Sequence, residues 1–272
     1  MAECGLLNLA TCLPEKFFQY LVNIINAPIK PLLSLVKGLL SEPISLSLFV
    51  NLWAIIIYLI SMFYGLFLLY SGFNFMISGH DVQKREQAKT WLRNIVIMII
   101  LVQASFLLYE IAIELSSILT TAVLSLLDKN FFLLTFDNII NIGLQLIFFF
   151  VYLLALLLTA IILIIRYVIV AVGVVFFPIG IFFYFIPPLR QYGSLILNFL
   201  GIAIFITFFD AIILIGFSKL LGIQLFSSMK ILVMISAFLF IDALMFFLMF
   251  FSLIKAGFNL ATKIGGVVSK FT

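Results

Sequence analysis

The chain has 272 residues, of which 65% are hydrophobic and only 10% charged, with a formal net charge of +4. Soluble domains carry about a quarter charged residues, and a mean hydropathy of +1.35 excludes a soluble core. In such a chain the cations are not expected to form a nucleic-acid surface of the usual soluble kind; they record orientation and contact with anionic lipid.

A spanning helix needs roughly 20 apolar residues, and several runs here are longer. Within hydrocarbon every backbone N–H and C=O must be satisfied inside its own segment, which makes these runs helices. They lack the apolar–polar alternation of a membrane β-barrel. The expected fold is all-α, a polytopic transmembrane helical bundle of about six apolar helices with five or six crossings.

Residues 1–43 differ from the rest. The start, "MAECGLLNLATCLPEK", has no basic stretch followed by an apolar one, so no cleavable signal peptide is expected. Phe17, Phe18, Leu21, Ile24 and Ile25 recur at helical spacing, with Lys16, Gln19, Asn23 and Asn26 on the other side. After Pro28 and Pro31, Leu32, Leu33, Val36, Leu39 and Leu40 repeat the arrangement. Two amphipathic interfacial helices joined by a proline corner are expected, with helices packed on the other spans as the alternative. Residues 44–272 form the transmembrane bundle.

The first span covers about Leu46–Ile77 and ends in "SGHDVQKREQAKTWLRN". That basic hairpin, residues 79–93, holds Lys84, Arg85, Lys89 and Arg93, together with the single histidine, His80. A second apolar stretch runs from about Asn94 to Leu127 and at 1.5 Å per residue would reach about 50 Å, beyond the ~30 Å core. From Ile139 to Ile186 the chain is almost unbroken hydrocarbon. It either makes two spans meeting near Arg166 or crosses once with a bend at Pro178. Spans follow at about Ser194–Phe217 and Ile231–Leu253, and the tail carries Lys255, Lys263 and Lys270.

The cluster at 79–93 is expected to be cytoplasmic, since cations in short loops set orientation. The N-terminus is then external. With one crossing at 139–186, eight cations fall inside and six outside; with two crossings, seven and eight. The single crossing is the better fit and puts the C-terminus in the cytoplasm. Cys4 and Cys12 then lie on the exterior, where they form either a disulfide or two unrelated thiols.

Five ionisable residues sit within apolar runs: Glu110, Glu114, Arg166, Asp210 and Asp242. Such residues usually face the protein interior, pair with each other or line a wet path. Glu110 and Glu114 share a helix face. Arg166 is the intramembrane cation able to neutralise Asp210 or Asp242. Catalysis is not expected. The two aspartates lack the glycine-rich context of intramembrane aspartyl proteases, His80 is outside the membrane, and neither a metal cluster nor a phosphate loop is evident. No metal or cofactor is expected.

A span ending "LYSGFNFMISGHD", a basic helix "VQKREQAKTWLRN" and a long second span resemble conjugation-type membrane subunits. The segment "VVFFPIGIFFYFIPPLRQYGSLILNFLG", with Pro178, Phe182, Phe185 and Arg190, resembles the inner-membrane platform subunit of type IV secretion systems. The tryptophan usual after the arginine is absent, with Tyr192 nearest, and so is the large external loop of many bacterial members. Over roughly residues 45–255 the chain is most similar to the polytopic membrane subunit of the archaeal Ced-type DNA-import system. That resemblance implies a channel or platform component of a DNA-translocation machine, with DNA as the transported substrate. It also implies a cytoplasmic ATPase and small pilin-like membrane proteins as partners, beside membrane lipid; self-association is left open. Lys84, Arg85, Lys89 and Arg93 would then meet DNA phosphate or an acidic ATPase face, placed roughly on one side of a helix. The alternative is an ion or small-solute transporter or channel in which Arg166, Asp210 and Asp242 couple transport.

Overall fold

The computed structural model describes residues 9–127, 131–132, 142–227 and 229–268, and every regular element among them is a helix. In chain order these are α1 (Leu9–Ser41), α2 (Val50–Ile77), α3 (Val82–Gln103), α4 (Ser105–Leu124), α5 (Ile142–Phe185), α6 (Arg190–Leu220), α7 (Gln224–Ser227) and α8 (Lys230–Val268). Among the described residues five stretches are long and apolar enough to cross a membrane: Ser47–Ile77, Ser105–Leu124, Ile147–Phe185, Pro187–Leu220 and Lys230–Phe251. The protein is an all-α polytopic bundle with the make-up of a multi-pass membrane protein. Ile142–Phe185 is one helix rather than two spans meeting at Arg166, and Pro178 lies inside it.

Packing divides the chain into two compact units. Met1–Glu42, Ser117–Ile165 and Thr207–Met245 make the first; Pro43–Ser116, Arg166–Ile206 and Phe246–Thr272 make the second.

In the first unit the sequence expectation needs one correction. The two N-terminal helices joined by a proline corner are the single helix α1. Asn26, Ile29, Val36 and Leu40 are all buried and continue one stripe across the prolines. Pro28 and Pro31 lie three apart on the exposed side, as do Ile24 and Ala27, whose carbonyls lose their usual i+4 donors. The lost hydrogen bonds therefore fall where other partners can replace them, and the packed stripe holds the helix together. Ser117 Oγ donates to the Ser41 carbonyl at 2.6 Å, tying α4 to the end of α1. Phe238 of α8 packs against Tyr152 of α5 and against Phe132, and the Tyr152 hydroxyl donates to the Phe132 carbonyl at 3.2 Å.

In the second unit α2 and α3 form an antiparallel hairpin. Trp53, Ile57, Ile60, Tyr64, Phe67 and Ser71 of α2 repeat at alternating steps of four and three, the spacing of a coiled-coil seam. Ala88, Trp91, Ile95, Met98 and Val102 of α3 answer it at the same spacing, and Ile181 and Phe182 of α5 join the cluster. Lipid is as apolar as leucine, so close packing and hydrogen bonds hold this seam. One such bond runs from Trp53 Nε1 to Ser105 Oγ at 2.9 Å. A second core cluster joins Tyr109 and Ile113 of α4, Val170 and Val174 of α5, and Leu200 and Ala203 of α6.

The boundary of the expected second span also moves. The basic segment does not stop at Asn94; α3 runs on through the apolar residues to Gln103. The break is at Ala104, whose N–H still reaches the Ile100 carbonyl at 2.9 Å while Leu108 N–H reaches Ala104 O at 3.0 Å. The hairpin's basic end is thus the outer part of the helix whose inner part packs in the bundle. At the other end of the unit, Ile186 is extended, as a residue before proline must be, and Pro187–Leu189 form a single 3-10 turn into α6. Gly193 of α6 is buried against the backbone of α5: a Cβ there would meet Tyr184 N and Gly180 O.

Candidate functional site

The basic hairpin is the most built of the candidate features. A short 3-10 turn, Ser78–His80, ends α2, and Asp81 caps α3 with an extended backbone. Its carboxylate accepts from Gln83 N–H at 2.9 Å and Lys84 N–H at 3.4 Å, satisfying donors that a helix start leaves open. The cap also places a negative charge beside Lys84, whose Nζ is 3.8 Å from Asp81 Oδ2. Lys89 pairs with Glu86 at 4.0 Å. Both pairs are exposed and contribute little to stability.

The four cations do not share one face, contrary to the sequence expectation. At 3.6 residues per turn, Arg85, Lys89 and Arg93 fall within an arc of about 80° on the side away from the seam. All three are exposed. Lys84 instead follows the row of Ala88, Trp91 and Ile95 and lies on the wall of a groove between α2, α3 and the Ile186–Pro188 turn. Arg85 leans back over the ring of Phe75, 6.0 Å from its centroid. The groove has a volume of about 930 Å³.

Arg166 is 5% exposed on α5. Its Nε donates to the Ala203 carbonyl at 2.7 Å and an NH2 nitrogen to the Ile204 carbonyl at 3.0 Å. Ser116 Oγ donates to the same Ile204 carbonyl at 2.7 Å. One turn along α5, the Tyr109 hydroxyl donates to the Val170 carbonyl at 2.7 Å. The guanidinium therefore sits among main-chain acceptors of α6 in the second unit. Asp210 and Asp242 belong to the first unit, so the expected pairing of Arg166 with an aspartate stays a prediction.

Asp210 is fully buried and Asp242 is 5% exposed. Thr159 of α5 is the polar residue beside Asp242. Its hydroxyl lies 3.0 Å from the Ala155 carbonyl and is also within reach of the Asp242 carboxylate, to which it can turn its proton. Apart from that hydroxyl, neither Asp242 oxygen has a hydrogen-bond partner among the described residues. On α4, Glu110 is half-buried and Glu114 exposed. Cys4 and the Cys12 side chain lie outside the described residues, and with them the disulfide expectation. Among the described residues no three His, Cys, Asp or Glu side chains gather as a metal site requires.

Sequence reading missed Tyr109, Ser116 and Thr159, the polar groups that surround the intramembrane charges. Their hydroxyls appear in the sequence only as scattered polar letters in apolar runs, and no spacing rule ties them to a charge on another helix. The sequence matches no protein-family profile, no curated protein and no solved structure.

Proposed function

We propose that the chain is a membrane-embedded channel or platform subunit of a DNA-translocation machine, with the α2–α3 hairpin in the cytoplasm. On this reading the N-terminus is external and the C-terminus cytoplasmic, as an odd number of crossings requires. A cytoplasmic ATPase and small pilin-like membrane proteins are its partners. The observation that carries the reading is the outward ridge of Arg85, Lys89 and Arg93. These cations stand one helical turn apart, about 6 Å, on a helix anchored at its other end in the bundle. A rigid row of cations at the membrane edge suits a phosphate backbone passing it.

The test uses the full chain in lipid nanodiscs with a fluorescein-labelled single-stranded oligonucleotide, titrated across a range of salt. Three phosphate contacts contribute a slope of about −2 to the dependence of log K on log salt for single strands. Changing Arg85, Lys89 and Arg93 together to glutamine should remove that contribution while leaving insertion intact. An unchanged slope would sink the role assigned to the ridge. Recovery of the protein from native membrane with neither an ATPase nor small membrane proteins would count against the machine itself.

A second reading, an ion or small-solute transporter, is favoured by Asp242. A deeply buried carboxyl whose polar neighbour is a single threonine hydroxyl is where a transported cation would find ligands. Asp242→Asn would abolish uptake of such a cation into proteoliposomes while leaving oligonucleotide binding unchanged.

A further inference from the structure

The groove on the α2–α3 hairpin has a chemical gradient along its length. Its inner end is walled by Phe63, Leu66 and Phe67, and its outer end by Asn74, Lys84 and Gln87. From Phe63 to Ser78 the wall follows α2 for fifteen steps, about 22 Å at 1.5 Å per residue. Half of a bilayer that is about 40–45 Å thick with its headgroups is the same depth. Lys84 therefore stands at headgroup level when the aromatic end lies among acyl chains. Trp91, with an indole N–H that finds no acceptor among the described residues, and Pro188 lie along the wall between these ends.

We propose that this groove binds one anionic phospholipid of the adjoining leaflet, its phosphate at Lys84 and Gln87 and an acyl chain along Phe63, Leu66 and Phe67. Charge complementarity selects the occupant. Lys84 lines the groove on the side away from the Arg85, Lys89 and Arg93 ridge; its side chain is 71% exposed, and its 3.8 Å pair with Asp81 Oδ2 is a solvent-exposed contact that a phosphate can displace. The Asp81 carboxylate accepts from two backbone N–H groups of α3 on Oδ1, while its Oδ2 faces Lys84 and is the group a phosphate must displace. It opposes a second anion less than a free carboxylate would. A hydrophobic helix from a partner subunit would fill the aromatic end but would leave the lysine, asparagine and glutamine at the outer end without complementary charge. A zwitterionic lipid would present its own cation there. The site is separate from the ridge proposed to meet DNA, and it stands or falls independently of that reading.

The chain has two tryptophans, Trp53 and Trp91. Trp53→Phe leaves Trp91 as the sole emitter, lying in the groove wall. The full-length variant is placed in phosphatidylcholine bilayers containing phosphatidylglycerol, with bromine on the acyl chains of one lipid or the other. Brominated phosphatidylglycerol should quench Trp91 with a relative binding constant at least threefold above that of brominated phosphatidylcholine. Lys84→Gln, at an exposed side chain, should bring that ratio to about one, whereas Lys89→Gln, on the ridge, should leave it unchanged. Equal quenching by both lipids in the parent would overturn the proposal. So would a preference that survives Lys84→Gln or is lost equally in Lys89→Gln. The absence of quenching by either lipid, the result expected if a protein segment fills the groove, would overturn it as well. Should Trp53→Phe fail to fold, the same ratio is read from the difference between the parent and Trp91→Phe.

Discussion

Gly193 is where the fold has least room, and its replacement by alanine gives a signed prediction. A Cβ at Gly193 would run into Tyr184 N and Gly180 O, both main-chain atoms of α5 that cannot swing aside. At Gly216, in the same helix α6, nothing lies within 4 Å of the added carbon. Alanine is favoured over glycine in a helix interior by about 1 kcal/mol, and both sites receive that gain. At Gly216 it stands alone, so Gly216→Ala should stabilise by up to about 1 kcal/mol. At Gly193 the two helices must part, and overpacking of this kind costs typically about 1–3 kcal/mol, more where backbone is in the way. The net change is a loss of up to roughly 2 kcal/mol, and the two variants should move in opposite directions. The assay is thermal unfolding of the full chain in detergent, both variants in one preparation series. If Gly193→Ala unfolds at or above the temperature of Gly216→Ala, the close approach of α5 and α6 is refuted. Because Pro187 and Pro188 wall the lipid groove, Gly193→Ala should also weaken the phosphatidylglycerol preference read at Trp91.

Three further outcomes follow from particular residues. Removing the hydroxyl that receives Trp53 Nε1, by Ser105→Ala, should cost about 0.6–1.7 kcal/mol, the range of hydrogen bonds between membrane helices, and unchanged unfolding would deny that bond. Arg166→Leu and Asp210→Leu, if the two charges are paired, should show a coupling of about 0.5–3 kcal/mol in a double-mutant cycle; strictly additive losses would refute the pairing. Single cysteines placed at Gln83 and Asn8, on an otherwise cysteine-free chain, should react with an impermeant maleimide only at Asn8 in intact cells, and reaction at Gln83 would invert the orientation.

Much of the fold was legible in the sequence because a bilayer leaves few choices. The runs at Leu46–Ile77, Ser194–Phe217 and Ile231–Leu253 each became a helix, since no other structure satisfies their backbone in hydrocarbon. Boundaries were less legible. The prolines at 28 and 31 signalled a corner, but their exposed placement let the buried stripe through Ile29 and Val36 override them. The change of composition at Asn94 signalled the start of a span, yet α3 passes through it unbroken, because polarity marks where the surroundings change and not where hydrogen bonding stops. The charges within the apolar runs were plain in the sequence. Their hydroxyl and carbonyl neighbours were not, since Ser116 reaches Ile204 O across 88 positions of chain.

The same register that packs the α2–α3 seam also divides its cations. A helix of 3.6 residues per turn meeting a neighbour at steps of three and four fixes one face as interior, and Ala88, Trp91, Ile95, Met98 and Val102 occupy it. Extending that row toward the turn reaches Lys84 and no other cation of the hairpin. Arg85, at the next position, is carried about 100° away, and Lys89 and Arg93 continue from it. Two cations adjacent in sequence thereby face different chemistry: Lys84 on the wall of a groove that deepens into aromatic rings, and Arg85 on the exposed side of α3, its guanidinium over the Phe75 ring. The difference does not depend on which machine the protein serves. It arises from the seam, so a change that shifts the register by one residue would move Lys84 out of its role. An alanine inserted between Asp81 and Val82 moves the cap but not the register of Lys84 against the seam. One inserted between Gln87 and Ala88 turns Lys84 about 100° out of the row. Lipid preference at Trp91 should survive the first insertion and fail with the second, and loss in both would mean that the groove's selectivity comes from the turn and not from the helix register.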